Sequence, residues 1–244
     1  MLPANLIYQL VYGSHAYGTT TEGSDLDIRG IFVPSIWDVL SMQGVEDVRG
    51  SSKSLFEGIE TEWIYYPVTK FVKLAMKCNP SVLEWLFVRK EYQIQVEWPG
   101  QILIEHRNHL LSKQIYHRLK GYAMSEFHSL TKLTGKTGEK RKKEILKYGY
   151  SPKNAMNCIR LLQQGVEMLK YGTLTLPRPN AEDLVEIKEG KWNYSRIIRV
   201  FSDLLEEIDE AHEKSELPEK TDFKLWDGIQ SNIIVNWSKE QDLL

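Results

Sequence analysis

Cysteine is scarce in this chain. Cys78 and Cys158 are the only two among 244 residues, and no closely spaced Cys or His set of the kind that holds zinc accompanies them. Both read as reduced core thiols. An excess of charge of either sign is also missing, since 31 Lys and Arg face 33 Asp and Glu. The balance announces no polyanion partner, so any nucleic-acid surface has to be a local patch. No stretch approaches the roughly 20 apolar residues of a membrane span. The opening MLPANLIYQLVYG has no basic leader before a long apolar run. A cytoplasmic location with no membrane partner is the expectation. Internal repeats, coiled-coil heptads and long low-complexity runs are absent as well. What remains is a globular chain, 42% hydrophobic, long enough for one large domain or two small ones.

Three strands are legible. LIYQLVY (Leu6 to Tyr12) is rich in β-formers and stops at Gly13, and DIRGIFVP (Asp27 to Pro34) is the second. In ETEWIYYP (Glu60 to Pro67), Glu60 and Glu62 share a face because strand side chains alternate. A helix follows in PVTKFVKLAMKC, where Val68, Phe71, Val72, Ala75 and Met76 recur at helical spacing and Pro67 suits a first turn. NPSVLEWLF reads as another helix, with Ser81 as N-cap and Glu84 as its capping-box partner. From about Pro99 strand signals fade. Helical patterns run over roughly Gly100 to Leu130, Ser151 to Tyr171 and Tyr194 to Lys214, and LPRPN leads to AEDLVEIK with Asn180 as its N-cap. The whole reads as an α+β half followed by a helical half.

The chemistry concentrates in GSHAYGTTTEGSDLD, Gly13 to Asp27. Asp25 and Asp27 project to one side of an extended strand, and like charges that close need a cation between them. Gly13 lets backbone approach a phosphate, and Ser14 offers a hydroxyl and an amide at the start of a helical turn. A third carboxylate on a neighbouring strand would complete a metal set, with Glu62 the candidate and Glu60 the alternative. Two cations about 3.5–4 Å apart in such a set activate an attacking hydroxyl and steady a triphosphate. A bare Asp-x-Asp also occurs in phosphatases, glycosyltransferases and plain loops. A haloacid dehalogenase reading is set aside, because here the apolar strand follows the aspartates instead of preceding them.

The full order is more specific: strand, Gly-Ser, spacer, Ser24-Asp25-x-Asp27, strand, then an acidic strand about 35 residues on. It resembles the DNA polymerase beta nucleotidyltransferase superfamily. GSHAYGTTTEGSDLDIRGIFVP, YYPVTKFVKLAMKCNPSVLEWLF, YSPKNAMNCIRLLQQGVEMLKYG and KSELPEKTDF are similar to successive blocks of the nucleotidyltransferases named for an RNA repair pathway. The resemblance implies a small mixed β-sheet palm with flanking helices, residues 1–98 as catalytic domain and 99–244 as a helical domain completing the cleft. It implies two Mg²⁺ or Mn²⁺ ions and a nucleoside triphosphate donor, ATP among the candidates, whose monophosphate goes to a hydroxyl acceptor. Carried over, Gly13, Ser14 and Ser24 would cradle phosphate, Asp25, Asp27 and Glu62 would hold metal, and Glu62 would take the acceptor proton. Asn157 stands where the family is expected to have a histidine.

Several residues keep two readings. Lys153, Asn157 and Arg160 form one polar stripe at i, i+4 and i+7, with Met156, Ile159, Leu162 and Val166 as the apolar one. Lys153 and Arg160 either neutralise the triphosphate or sit on a solvated face. His15 either touches phosphate or makes a local hydrogen bond, and Arg29 balances the aspartates. Lys70 and Lys73 read as exposed helix residues, and Trp37, Trp63 and Trp85 as core or interface. The segment Lys132 to Lys147 has seven Lys or Arg against two Glu. It is either a solvated mobile loop or an arm that contacts RNA. The acceptor is thus RNA, or a protein or small molecule as in antitoxin-like transferases. A non-catalytic nucleotide- or RNA-binding module is the third option.

Overall fold

A computed structural model of the chain describes residues 3, 5–56, 59–133 and 138–241. The chain forms two compact units, Met1–Leu110 with Thr175–Pro179 and Thr221–Leu244, and Leu111–Leu174 with Asn180–Lys220.

In the first unit β1 (Leu6–Tyr12) runs straight into the short helix α1 (Gly13–Tyr17), and the chain returns as β2 (Leu26–Phe32). After α2 (Ile36–Leu40) come β3 (Val48–Phe56) and β4 (Ile59–Pro67), and α3 (Val68–Ala75) leaves β4 directly. Then follow α4 (Pro80–Leu83), a 3-10 turn at Glu84–Phe87, the short β5 (Gln93–Val96) and α5 (Trp98–Glu105). Among the described residues the sheet has five strands in the order β3-β4-β2-β1-β5, and only the β2–β4 pair is parallel. This is the small mixed sheet with flanking helices that the resemblance implies.

Central β1 buries Ile7, Tyr8 and Leu10 completely, which a strand covered on both faces requires. One face carries a cluster of Leu6, Ile28, Phe32 and Tyr65, with Val11, Leu26, Val45, Val48 and Trp63 against it. Elsewhere in the unit α3 buries Val68, Phe71, Val72 and Ala75. Trp85 lies between Phe71 and Tyr66, with ring centroids 5.6 and 5.2 Å away. Burying a side chain such as Phe71 contributes on the order of 1.5–3 kcal/mol.

Two strands escape the sequence reading. β3 is VRGSSKSLF, poor in β-formers, and its place comes from pairing with β4. Gly50 is required there, since a Cβ would lie 2.3 Å from the Trp63 ring on the neighbouring strand. β5, four residues long, is too short to carry a period. The capping box at Ser81 and Glu84 is also corrected. Asn79 caps α4, its side chain accepting from the Ser81 amide at 3.1 Å, and Pro80 takes the first helical position. The helix therefore starts earlier, and Glu84 turns inward.

The second unit contains α6 (Gln114–His128), α7 (Glu139–Tyr148), α8 (Pro152–Tyr171), α9 (Ala181–Lys188) and α10 (Tyr194–Lys214). The helix α11 (Phe223–Glu240), absent from the sequence reading, belongs to the first unit and is capped by Asp222. The single helix expected over Gly100–Leu130 is three pieces: α5, a 3-10 turn at Arg107–Leu110, and α6. Apolar spacing persists across the breaks because each piece buries its own stripe. Within the second unit α8 is the central helix, burying Met156, Ile159, Leu162 and Val166 as expected. Phe127 on α6 stacks on Phe201 of α10 with ring centroids 4.0 Å apart. Asn180 stands at the N-cap of α9, yet its side chain donates to Gln163 at 3.0 Å rather than capping.

Candidate functional site

The Gly-Ser pair opens α1. Gly13 has φ +63°, a left-handed conformation that glycine adopts freely. A Cβ there would lie 2.0 Å from Oδ2 of Asp27. The bare Cα is what lets the Asp27 carboxylate lie against the turn. Register then builds a row: Tyr12 on β1 pairs with Asp27 on β2, and Asp27 pairs with Glu62 on β4. Paired residues project to the same face, so these three side chains stand abreast on strands about 4.8 Å apart. Asp25, just ahead of β2, is exposed, as are Glu62 and Glu60, while Asp27 is half-buried.

Asp27 already has a cation. Arg29 donates from Nη2 to Oδ1 at 2.7 Å and from Nη1 to the Ile28 carbonyl at 2.9 Å, with its guanidinium 5.7 Å from the Tyr12 ring centre. It balances the aspartate as expected. Ser24 closes the turn before Asp25, its Oγ accepting from the Thr21 amide at 2.9 Å and its amide donating to the Thr21 carbonyl at 3.0 Å. Beside Ser14, Nε2 of His15 is buried without a hydrogen-bond partner among the described residues, so within them that nitrogen does not make the local bond that is one of its two readings. A buried unpaired donor or acceptor of this kind costs roughly 1–3 kcal/mol.

Among the described residues no three His, Cys, Asp or Glu side chains are gathered closely enough to hold a metal ion as they stand. In kind the donors fit. Asp25, Asp27 and Glu62 carry hard carboxylate oxygens at and beside the start of β2, the type that Mg²⁺ or Mn²⁺ takes, and Oδ2 of Asp27 has the room that Gly13 leaves.

Other expected residues fall elsewhere. Lys70 is engaged rather than simply exposed, with Nζ 2.7 Å from both oxygens of Asp47 and 4.9 Å from the Tyr66 ring centre. Lys73 is exposed. Trp85 is core and Trp63 flanks the sheet cluster, but Trp37 is 69% exposed. In the second unit Lys153 is exposed, whereas Arg160 is only 7% exposed and donates to Gln164 Oε1 at 2.8 Å. The stripe is therefore not a uniformly solvated face, since Arg160 is buried while Lys153 is exposed. Residues 134–137 of the basic segment lie outside the described residues, and from Glu139 the expected loop gives way to α7. Glu139 in the first turn, Lys147 in the last and a left-handed Gly149 after it are helix signals that could have found it. Lys140, Lys143 and Lys147 are exposed at i, i+3 and i+7. Neither cysteine is in a disulfide and both are buried, and burial, with the Glu126 charge adding, pushes the Cys158 thiol up to about 12. No helix among the described residues is long and apolar enough to cross a membrane.

Comparison with known proteins adds three findings. The chain is similar to an uncharacterized 38.9 kDa protein from the nrdC–mobD intergenic region of Enterobacteria phage T4. The two are 22% identical over 320 residues, covering 91% of this chain and 95% of the phage protein. Among solved structures, a nucleotidyltransferase-like protein from Exiguobacterium sibiricum 255-15 matches at 8% identity with a TM-score of 0.28, covering 97% of this chain and 72% of that one. A family model described as the RNA repair pathway DNA polymerase beta family, RlaP, matches residues 2–233. With the match running over nearly its whole length, the chain belongs to the RNA repair pathway DNA polymerase beta family.

Proposed function

We propose that the chain is a metal-dependent nucleotidyltransferase that moves a nucleoside monophosphate from a nucleoside triphosphate to a hydroxyl acceptor, breaking the α–β phosphoanhydride bond and releasing pyrophosphate, with RNA as that acceptor. The observation that carries this is the row of Tyr12, Asp27 and Glu62, with the bare Cα of Gly13 under the Asp27 carboxylate. Asp25, Asp27 and Glu62 would hold two Mg²⁺ or Mn²⁺ ions. When bound, such ions neutralise the triphosphate and acidify the attacking hydroxyl.

The chain's own residues do the rest. Gly13 lets the backbone approach the phosphates, and Ser14 presents its amide and hydroxyl to them. The buried, unpartnered Nε2 of His15 gains a partner when an anion enters beside it. Ser24 holds the turn that aims Asp25. Arg29 holds Asp27 in one orientation, and its cation offsets negative charge when the carboxylates are not otherwise compensated. Glu62, exposed at the edge of the row, accepts the proton of the attacking hydroxyl. The exposed stripe of Lys140, Lys143 and Lys147 on α7 supplies charge for an RNA backbone.

The test is label transfer from each of the four α-phosphate-labelled nucleoside triphosphates, with Mg²⁺ or Mn²⁺, onto total RNA and onto protein extract, beside an Asp25→Asn/Asp27→Asn control. Label in RNA that disappears in the control is the expected result. Label confined to protein replaces RNA as the acceptor, and no label in any fraction overturns the transferase reading.

A further inference from the structure

Glu84 has surroundings that its sequence position does not suggest. It is 1% exposed, and a buried carboxylate is costly unless it is hydrogen-bonded. The Tyr12 hydroxyl donates to its Oε2 at 2.8 Å. The Tyr17 hydroxyl donates to the same oxygen and lies 2.7 Å from the Tyr12 hydroxyl. Tyr12 is the last residue of β1 and Tyr17 the last of α1. Gly13, Ser14, His15 and Ala16 lie between them, so one carboxylate oxygen holds both ends of the turn that carries the Gly-Ser pair.

The turn needs such a hold. A helix of five residues is far below the roughly 12–15 at which isolated helices become even marginal, and no side chain caps this one at Tyr12. Glu84 is itself anchored. It opens the 3-10 turn Glu84–Phe87, where the Trp85 carbonyl accepts from the Tyr8 hydroxyl at 2.8 Å and the indole stacks on Tyr66 at 5.2 Å. On the other side, the Tyr12 ring lies beside Arg29, which holds Asp27.

We infer that Glu84 is a positioning residue that clamps α1 through Tyr12 and Tyr17 and so sets where Gly13 and Ser14 stand relative to Asp27. The inference rests on the reading of that turn as the triphosphate site. Tyr17→Phe removes one donor, Glu84→Leu removes the acceptor, and Glu84→Gln keeps an acceptor oxygen without the charge. Full-length variants are compared by amide hydrogen exchange at residues 13–18, by melting, and by KM and kcat with each of the four triphosphates and Mg²⁺.

Losing a hydrogen bond of this strength predicts exchange at 13–18 and KM both raised about 10-fold in Tyr17→Phe and Glu84→Leu, kcat within about 2-fold, and most of both effects recovered in Glu84→Gln. Wild-type exchange and KM in both deletion variants overturn the clamp. So do unfolding of both variants and exchange raised evenly across the first unit, either of which makes the three residues a core network. If exchange rises locally while the wild-type chain neither binds nor turns over any triphosphate, the clamp stands and the transferase reading falls.

Discussion

Asp27 and Arg160 are both charged residues inside regular elements, and their surroundings are opposite. Asp27, near the start of β2 in the first unit, is half-buried, with a carboxylate on one flank, an arginine on its own strand and a bare glycine beneath. Arg160, in the middle of α8 in the second unit, is nearly enclosed and is held by Gln164 one turn on. Strand pairing sets residues of different strands side by side on one face of a sheet, so Asp27 and Glu62 can meet across strands and still reach solvent. A helix packed in a bundle leaves only part of its surface in water, so a cation at a covered position needs a hydrogen-bond partner close by. The first unit thus leaves its carboxylates open to solvent, whereas the second holds Arg160 nearly out of it.

The strongest test of that contrast is the Asp25→Asn/Asp27→Asn pair. Transfer should fall by more than the roughly 10–100-fold that loss of an outer-shell metal partner costs, while melting stays near wild type. A large drop in melting instead would make the carboxylates structural. Gly13→Ala comes next. Its left-handed φ of +63° costs a side chain about 1–2 kcal/mol, which for a chain of this size lowers the melting temperature by about 2–8 °C. Because the new Cβ has to displace the Asp27 carboxylate, transfer should fall further than stability alone explains.

Arg160→Met sharpens the other side. Leaving a buried Gln164 oxygen unpaired costs roughly 1–3 kcal/mol in melting, with triphosphate affinity unchanged. Normal melting with weakened triphosphate binding would break the comparison and give α8 a ligand-binding role. The smallest effect is at Cys158. Burial disfavours the thiolate, so with the thiol pushed up to about 12 a disulfide reagent at pH 8 should leave it unmodified in the folded chain and react only on unfolding. Rapid modification of the native chain would show that α8 opens readily.

Much of the candidate site is legible in the sequence because its signals are local. Gly13, Ser14, Asp25 and Asp27 lie within one short stretch, and the flanking runs Leu6 to Tyr12 and Asp27 to Pro34 carry strand character of their own. Glu62 was legible only as one of two acids on a strand. The β2–β4 pairing sets Glu62, and not Glu60, opposite Asp27. Glu84 was misread because Ser81-x-x-Glu84 matches a capping box, while Asn79 and Pro80 start the helix earlier and turn the acid toward two tyrosines. Charge density hid α7, whose single buried residue, Ile145, leaves almost no apolar period to detect.

By itself the sequence determined the elements whose period is carried by their own side chains: β1, β2, β4, α3, α8 and α10, together with the order of glycine, serine and aspartates between the first two strands. Tertiary structure alone decided the strand β3, the place of α11 in the first unit, the burial of Arg160 and the joining of Tyr12, Tyr17 and Glu84. The physical reason is range. A strand or helix period is written every two to four residues, whereas a hydrogen bond between residues 72 apart in the chain, such as Tyr12 to Glu84, exists only once both elements have docked.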